Sequence, residues 1–273
     1  MITKDMAKVC TDLFNTVNRA SHVLIAGTTG SGKSVCLNTI IYSILKMNFS
    51  SPSSSPRFVM IDPKRVELKM YKKSTRCLIH VTEPEDIALV LNNCINVMDE
   101  RYDNMEGRKS TEFPIYIIID ELADLLDTYG VLQSIIKIGR LGRAANIHLI
   151  CCTQDPSRYT LSAQLMQNFN TCIALRCKSA IESKQIIGEP GAERLPRYGK
   201  AIVSDPDGMR VIDIPMTPDK DIEEVLESIR IFDQYVDTGA QGPYPEGVIE
   251  EDLRAIITER QYLEEVNRDE AVF

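Results

Sequence analysis

The stretch Gly27-Thr28-Thr29-Gly30-Ser31-Gly32-Lys33-Ser34 matches the phosphate-loop pattern G-x-x-x-x-G-K-[S/T] at every fixed position. The apolar run Val23–Ala26 precedes it and predicts a short buried strand. The segment from Ser34 to Leu45 follows it and predicts a helix with one apolar face. Because this pattern binds phosphate when it joins a strand to a helix, we expect a phosphate-binding loop here.

The residue types of this loop suit the phosphates of a nucleotide. Glycines allow backbone N–H groups to approach an anion, and the following helix adds the positive end of its dipole. Lys33 is expected to reach the β and γ phosphates, and Ser34 to bind Mg²⁺ through its hydroxyl. The alternative is a chance glycine-lysine turn, which would explain neither flank. The sequence therefore predicts ATP and Mg²⁺ as ligands.

A second stretch places two carboxylates directly after an apolar run. Ile115–Ile119 is uninterrupted by polar residues other than Tyr116, which is typical of a strand buried in a parallel sheet, and Asp120 and Glu121 follow it. Ligands bind at the carboxyl ends of such strands. Asp120 is therefore a candidate Mg²⁺ ligand, and Glu121 is a candidate base for an attacking water. The alternative is a pair of acids favoured only by the dipole of a helix N-terminus.

A third apolar run, Ile147–Thr153, predicts another buried strand, and Gln154 follows it. A glutamine at a strand end beside a phosphate loop can sense the γ-phosphate, although an ordinary loop glutamine remains the alternative. The segment before this strand, Leu132–Ala145, predicts a helix that carries Arg140 and Arg143.

Composition limits the class of protein. The chain has 273 residues, of which 44% are hydrophobic and 26% are charged, as in ordinary globular proteins. Its eight cysteines include no C-x-x-C pair, so we expect buried thiols in a reducing compartment rather than zinc ligands or disulfides. No apolar run reaches transmembrane length, and residues 1–5 do not begin a signal peptide. We therefore expect a cytoplasmic chain without a membrane anchor.

The net charge of −8 disfavours DNA binding over a broad surface, but it is compatible with a few basic loops inside a ring. Strands alternate with helices along the chain, which predicts an α/β fold with a mostly parallel central sheet flanked by helices. We expect a packing helix over residues 1–20, an ATPase domain over 21–236, a glycine- and proline-rich linker over 237–247, and an acidic helical tail over 248–273.

Taken together and in order, these motifs resemble the motor domain of the FtsK/SpoIIIE family of double-stranded DNA translocases. The resemblance covers roughly residues 20–215, and its matching stretches are His22–Val35, Met60–Leu68, Ile117–Asp124, Gly142–Leu149, Thr153–Ser157 and Gly191–Glu193. It implies a RecA-like P-loop NTPase fold that assembles as a hexameric ring around DNA. It also implies that Gly27–Val35 contacts the nucleotide.

The resemblance implies further roles. Arg143 is expected near a subunit interface, where a guanidinium can complete the ATP site of the neighbour and offset charge on the transferring phosphoryl group. Arg140 is the competing candidate, and a solvated helix face is the alternative for both. The expected catalytic set is then Lys33, Glu121, Arg143 and Gln154.

Contacts with double-stranded DNA are expected from basic residues that follow two strands. They are Lys64, Arg65, Lys69 and Arg158, for which the alternative is simple solvation. The chain also departs from the family's pattern. It has Asn146 in place of Gly, Asp155 in place of Arg, and Arg197 and Lys200 where a later Gly and Gly-Asp are expected.

The resemblance implies an ATP-driven double-stranded DNA translocase that serves segregation, conjugative transfer or phage DNA handling. The alternatives are an FtsK-like ATPase that drives protein secretion and a non-motor ATP-binding module that regulates a partner. The family's full motors carry a further domain before the phosphate loop and a winged helix after the motor. We find room for neither in 273 residues, so we expect a partner to supply targeting or DNA-sequence recognition.

Overall fold

The computed structural model describes residues 4–47, 55–157 and 161–237. The predicted acidic tail, the linker beyond Asp237, and Arg158 lie outside these ranges. The strands are β1 (His22–Ala26), β2 (Arg57–Ile61), β3 (Cys77–Val81), β4 (Ile115–Ile119), β5 (Ile147–Thr153), β6 (Thr171–Ala174), β7 (Lys200–Asp205) and β8 (Gly208–Asp213). The α-helices are α1 (Lys4–Arg19), α2 (Lys33–Met47), α3 (Pro84–Asp103), α4 (Val131–Leu141), α5 (Ala163–Met166), α6 (Ala180–Ile187) and α7 (Asp219–Asp237).

The eight strands form one sheet in the order β3-β2-β4-β5-β1-β6-β7-β8. All pairs from β3 to β6 are parallel, whereas β7 and β8 add an antiparallel hairpin whose turn joins Asp205 to Gly208. The predicted α/β fold with a mostly parallel central sheet is confirmed. Since parallel strands share one direction, β1 to β6 end at the same edge of the sheet.

Helices cover both faces of the sheet. On β4, Ile115, Ile117 and Ile119 pack in one core together with residues of α3, α4, α5 and α6. Tyr116 and Ile118 point to the other face, where residues of α1, α2 and α7 complete a second core. Every residue of β4 is buried. An apolar run without alternation is therefore what this central strand requires.

Residues close to the helix ends determine where two of the helices begin or end. Pro84 opens α3, and Glu85 and Asp86 in its first turn complement the helix dipole. Helix α6 begins where the Ser179 hydroxyl accepts a hydrogen bond from the backbone N–H of Glu182 at 3.2 Å. It ends at Gly188, whose φ of 82° is left-handed.

Helix α4 is shorter than its sequence predicts. The apolar pattern predicts a helix as far as Ala145, but α4 ends at Leu141 and a tight turn leads into β5. The turn closes when the Ile147 N–H donates to the Gly142 carbonyl at 2.9 Å. Asn146 adopts a φ of 58°, which a helix cannot contain. The turn therefore requires a residue with a positive φ, which the spacing of apolar residues along a helix cannot predict.

All eight cysteines are buried and unpaired, in agreement with the buried thiols expected from the sequence. Burial raises the pKa of the Cys36 thiol to about 12. Across residues 4–47, 55–157 and 161–237, every helix is too short or too polar to serve as a transmembrane span.

The turn after α4 provides a test of the packing. A Cβ placed on Gly142 would lie 2.6 Å from the carbonyl oxygen of Ile147, which is backbone and cannot move aside. We expect Gly142→Ala to lower the free energy of unfolding by about 1–3 kcal/mol, as overpacking does. Urea denaturation measures this change. Gly107→Ala is the matched control, because nothing lies within 4 Å of its added Cβ. Equal stability of the two variants would contradict the observed packing of the turn.

Candidate nucleotide-binding site

The predicted phosphate loop connects β1 to α2 at the carboxyl edge of the sheet. Gly30 and Gly32 have φ values of 71° and 97°, a left-handed conformation that side chains rarely adopt. The Thr28 N–H donates to the Arg176 carbonyl at 3.0 Å, which holds the loop against the end of β6. The loop therefore has the backbone geometry needed to turn its N–H groups inward.

The Lys33 ammonium lies inside this loop. Its Nζ donates to the carbonyl oxygens of Gly27 at 2.9 Å and Thr28 at 3.1 Å, and the residue is only 9% exposed. Burial lowers the pKa of Lys33, and the nearby carboxylates of Glu121 and Asp120 oppose that shift. Among the described residues, no carboxylate forms an ion pair with this ammonium. Its charge is thus available to an anion that enters the loop.

One cavity of about 360 Å³ brings most of the predicted site residues together. Its lining residues are Thr29, Gly30, Gly32, Lys33, Ser34, Val35, Lys64, Val66, Glu67, Asp120, Gln154 and Tyr198. The motifs behind this set lie far apart in sequence, and they meet because β1, β2, β4 and β5 end at one edge. A larger cavity of about 770 Å³ is lined by no residue of the phosphate loop and by neither Asp120 nor Glu121, so the smaller one is the candidate nucleotide site.

Asp120 lies in an acidic environment. Burial, together with Coulombic repulsion from Glu67, Asp62 and Glu121, raises the pKa of Asp120 to about 6. A cation beside this carboxylate would relieve the repulsion. Ser34 lines the same cavity and supplies a hydroxyl oxygen, so the two residues fit a hard cation such as Mg²⁺. Within the described ranges, no group of three or more His, Cys, Asp or Glu side chains is placed to hold a metal.

Glu121 is buried, with 2% of its surface exposed, and both of its carboxylate oxygens have partners. The Lys64 ammonium lies 3.0 Å from Oε2, and the Gln154 backbone N–H donates to Oε1 at 2.9 Å. Lys64 also lies 3.4 Å from the Asp124 carboxylate. Burial alone would lower the pKa of Lys64, but contacts with Glu121 and Asp124 outweigh it and raise the pKa. The charged Lys64 side chain therefore fixes the position of Glu121.

Gln154 connects the phosphate loop to this carboxylate. Its side-chain Oε1 accepts a hydrogen bond from the Thr29 hydroxyl at 2.6 Å, while its backbone N–H donates to Glu121. Strand β5 lies between β1 and β4, so a residue at its end is adjacent to both. Glu121, Gln154 and Thr29 thus form one continuous hydrogen-bonded chain across the site.

The sequence and the fold of the chain are similar to those of known proteins. The family model described as FtsK/SpoIIIE family matches residues 4–113. DNA translocase FtsK of Chlamydia muridarum (strain MoPn / Nigg) is 32% identical over an alignment of 262 residues that covers 81% of this chain and 33% of that protein. DNA translocase SpoIIIE of Bacillus subtilis (strain 168) is 37% identical over 204 residues, covering 66% of this chain and 26% of that protein.

The chain belongs to the FtsK/SpoIIIE family. It spans about a third or less of the length of these two relatives. The solved structure of the pCW3 conjugation coupling protein TcpA, in a monomer form with ATPγS, superposes with a TM-score of 0.66 at 22% identity. The superposition covers 78% of this chain and 64% of TcpA. This likeness confirms the predicted RecA-like P-loop ATPase fold.

The arginine that the FtsK/SpoIIIE resemblance predicts for catalysis is not in this cavity. Arg143 is exposed in the turn before the amino end of β5, and the phosphate loop follows the carboxyl end of the neighbouring β1. The seven residues of β5 separate the two edges by about 20 Å. Arg143 lines the cavity of about 770 Å³ at that opposite edge. It cannot reach the phosphate loop of its own chain, and Arg140 is exposed on α4 nearby.

The residues predicted to contact DNA have different surroundings. Lys64 faces Glu121 in the nucleotide cavity, and the exposed Arg65 pairs with Glu83. Lys69 is exposed at the start of a short 3-10 helix, and Arg158 lies outside the described residues. A DNA contact at these positions stays a prediction.

Three residues of the cavity had no role predicted from the sequence, namely Val66, Glu67 and Tyr198. Val66 and Glu67 follow β2 and lie beside Lys64 in sequence. Because β2 ends at the same edge of the sheet as β1, this position could have predicted that they line the cavity. Tyr198 belongs to the segment before β7, where no periodic pattern or motif indicates proximity to the loop.

The raised pKa of Asp120 provides a test of the electrostatics. An unfolded aspartate has a pKa of about 3.9, so the folded chain binds more protons between about pH 4 and pH 6. Stability therefore falls as pH rises through this window. We expect Asp120→Asn to raise the melting temperature at pH 7.5 by roughly 1–3 °C without nucleotide or metal.

Thermal unfolding in EDTA, followed by circular dichroism, measures this shift. The gain should shrink as pH falls from about 6 toward about 4, because the folded chain then holds the aspartate increasingly in its protonated form. Asp124→Asn is the control, because its half-exposed carboxylate pairs with Lys64 and should give no gain. A lower melting temperature for Asp120→Asn would show that the ionised Asp120 carboxylate does not destabilise the folded chain.

Proposed function

We propose that this chain is the ATP-hydrolysing motor domain of a double-stranded DNA translocase. The observation that carries the proposal is the hydrogen-bonded chain from Thr29 through Gln154 to Glu121, which links a phosphate loop to a buried carboxylate. The named activity of the FtsK and SpoIIIE relatives supports DNA as the substrate of movement. Segregation, conjugative transfer and phage DNA handling all remain open as the pathway.

In this proposal the triphosphate of ATP enters the loop between β1 and α2. Lys33 exchanges its contacts with the Gly27 and Thr28 carbonyls for phosphate oxygens, and the N-terminal dipole of α2 adds to the attraction. Ser34 and Asp120 hold Mg²⁺, which when bound neutralises phosphate charge and polarises the γ-phosphoryl group. The acidic repulsion around Asp120 then becomes a favourable interaction.

Hydrolysis follows as an in-line displacement. The oxygen of a water attacks the γ-phosphorus, the bond from phosphorus to the β–γ bridging oxygen breaks, and ADP and phosphate result. Glu121 accepts the proton of the attacking water on a carboxylate oxygen, since each oxygen keeps a free lone pair beside its contact with Lys64 or the Gln154 N–H. Gln154 follows the γ-phosphate through its hydrogen bond to Thr29 and transmits the change to Glu121.

The proposal requires a second copy of the chain. Arg143 lies at the edge opposite its own loop, so it acts on the ATP of a neighbour in a homo-oligomer, for which a hexameric ring is the expected form. A guanidinium in that position stabilises charge on the transferring phosphoryl group. We also propose a cytoplasmic location and a further partner or segment that supplies targeting or sequence recognition.

Stimulation of ATP turnover by DNA is the first test. We expect duplex DNA to raise turnover of the wild-type chain, and the gain to fall steeply between about 50 and about 200 mM salt because phosphate contacts release counterions. Glu121→Gln keeps the shape of the side chain but removes the base, so turnover should fall by at least roughly a hundredfold. A coupled assay for ADP release, with and without DNA, measures both effects.

The outcomes separate the alternatives. A rate of ATP turnover that does not change when DNA is added would favour the protein-secretion ATPase over the translocase. Nucleotide binding without turnover under any condition would favour the non-motor module. Full activity of Glu121→Gln would assign the base to another residue.

Catalysis in trans is the second test. We expect Arg143→Ala to bind ATP normally and to lose turnover by about a thousandfold, the lower range for an arginine that acts from a neighbour. Mixing it with Glu121→Gln should restore part of the activity, because some interfaces then pair an intact Arg143 with an intact Glu121. ADP release from the separate and mixed proteins measures this complementation.

Arg140→Ala is the matched control, since the same exposed surface carries both arginines. If Arg140→Ala lost turnover and Arg143→Ala did not, the catalytic role in trans would belong to Arg140. Full turnover by a species that sediments as a single subunit would contradict the trans arginine and the ring.

A further inference from the structure

The segment between α6 and β7 brings a second cationic side chain to the phosphate loop. A Cβ built on Gly30 would lie 3.4 Å from Nη2 of Arg197. Since a carbon–carbon bond is about 1.5 Å long, the guanidinium lies within about 5 Å of the Gly30 Cα. The next residue, Tyr198, lines the nucleotide cavity together with Thr29 and Gly30. Arg197 therefore stands at the entrance of the loop.

The surroundings of Arg197 leave its charge uncompensated. Its guanidinium carbon lies 5.2 Å from the centroid of the Tyr198 ring, a cation–π contact that orients the planar group. In the described ranges it forms no ion pair with any carboxylate. Arg194, three residues earlier, does have such a partner, because its Nε lies 3.2 Å from Glu193. An arginine is always protonated, so a full positive charge faces a site built for anions.

We propose that Arg197 binds the phosphate chain of the nucleotide from within the same chain, as a second cation beside Lys33. The two cations approach from different sides, since Lys33 reaches the site from α2 and Arg197 from the segment before β7. Tyr198 is the positioning residue, whose ring supports the guanidinium from beneath. This inference rests on the proposed nucleotide-binding function.

The contact of Arg197 with the phosphates should strengthen the binding of ATP more than that of ADP. ATP carries one more negative charge than ADP, so a cation at the loop entrance stabilises bound ATP more strongly than bound ADP. A guanidinium also donates two parallel hydrogen bonds to a phosphate, which a lysine cannot match. Arg197 therefore contributes to affinity and to discrimination between substrate and product. Arg143, which acts on the neighbour's site, has no such effect on binding by a single subunit.

The experiment measures nucleotide affinity of the full chain, at concentrations where sedimentation shows single subunits. Titration calorimetry with Mg·ATPγS and Mg·ADP compares the wild type with Arg197→Gln, Arg197→Lys and Arg194→Gln. We expect Arg197→Gln to weaken ATPγS by about tenfold, at the low end for a hydrogen bond to a charged group, and ADP by less. Arg197→Lys should recover part of the loss. Arg194→Gln, on the same segment but at an arginine that is paired with Glu193, should bind like the wild type.

Each outcome decides the question. A wild type that binds neither nucleotide would remove the proposed function, and this inference with it. A wild type that binds both, with Arg197→Gln unchanged, would overturn the inference and leave the function standing. Equal losses in Arg197→Gln and Arg194→Gln would indicate a general charge effect and would also overturn it. Because Arg197 is exposed, its variants should keep the wild-type melting temperature, and Arg197→Met serves as a second variant if Arg197→Gln does not.

Discussion

The site depends on one topological constraint, the insertion of β5 between β1 and β4. Neighbouring strands lie about 4.8 Å apart, so the phosphate loop and the strand-end carboxylates are separated by roughly 10 Å. That gap is wide enough for a terminal phosphate and one water. It also gives Gln154, at the end of the inserted strand, contact with Thr29 on one side and Glu121 on the other. Removal of that strand from between them would close the gap and remove Gln154 from its place between the two partners.

Charge is concentrated here before any ligand arrives. Asp62 and Glu121 are buried, Asp120 has a raised pKa, and Lys33 has a lowered one. The pKa shifts of Asp120 and Lys33 both disfavour the charged form and so cost folding free energy. The unliganded chain limits this cost with internal partners, carbonyls for Lys33 and Lys64 for Glu121. A triphosphate with its metal would replace these partners, so ligand binding and local stability are linked at this edge of the sheet.

The sequence predicted the features that are local or that repeat with a fixed period. The loop Gly27–Ser34 has a fixed spacing, and the buried strands read as apolar runs, so fold and phosphate loop could be derived without coordinates. The contact of Lys64 with Glu121 could not, because 57 residues separate the partners. In the sequence, Arg197 stood out only as a departure from a family pattern. It lies in an irregular segment, where no repeating spacing of residues predicts its position in the fold. The early end of α4 was missed because the backbone geometry at Asn146 overrides helical periodicity.

The buried cysteines have a practical consequence for experiments on this chain. All eight lie in the two cores or beside them, and a thiolate rather than a thiol reacts with an electrophile. A maleimide dye added to the native protein should therefore leave them unmodified. A single cysteine introduced on the surface becomes a selective attachment point for a fluorophore, with every native thiol retained. Distances from that point can then be followed by energy transfer in a chain whose cores are intact.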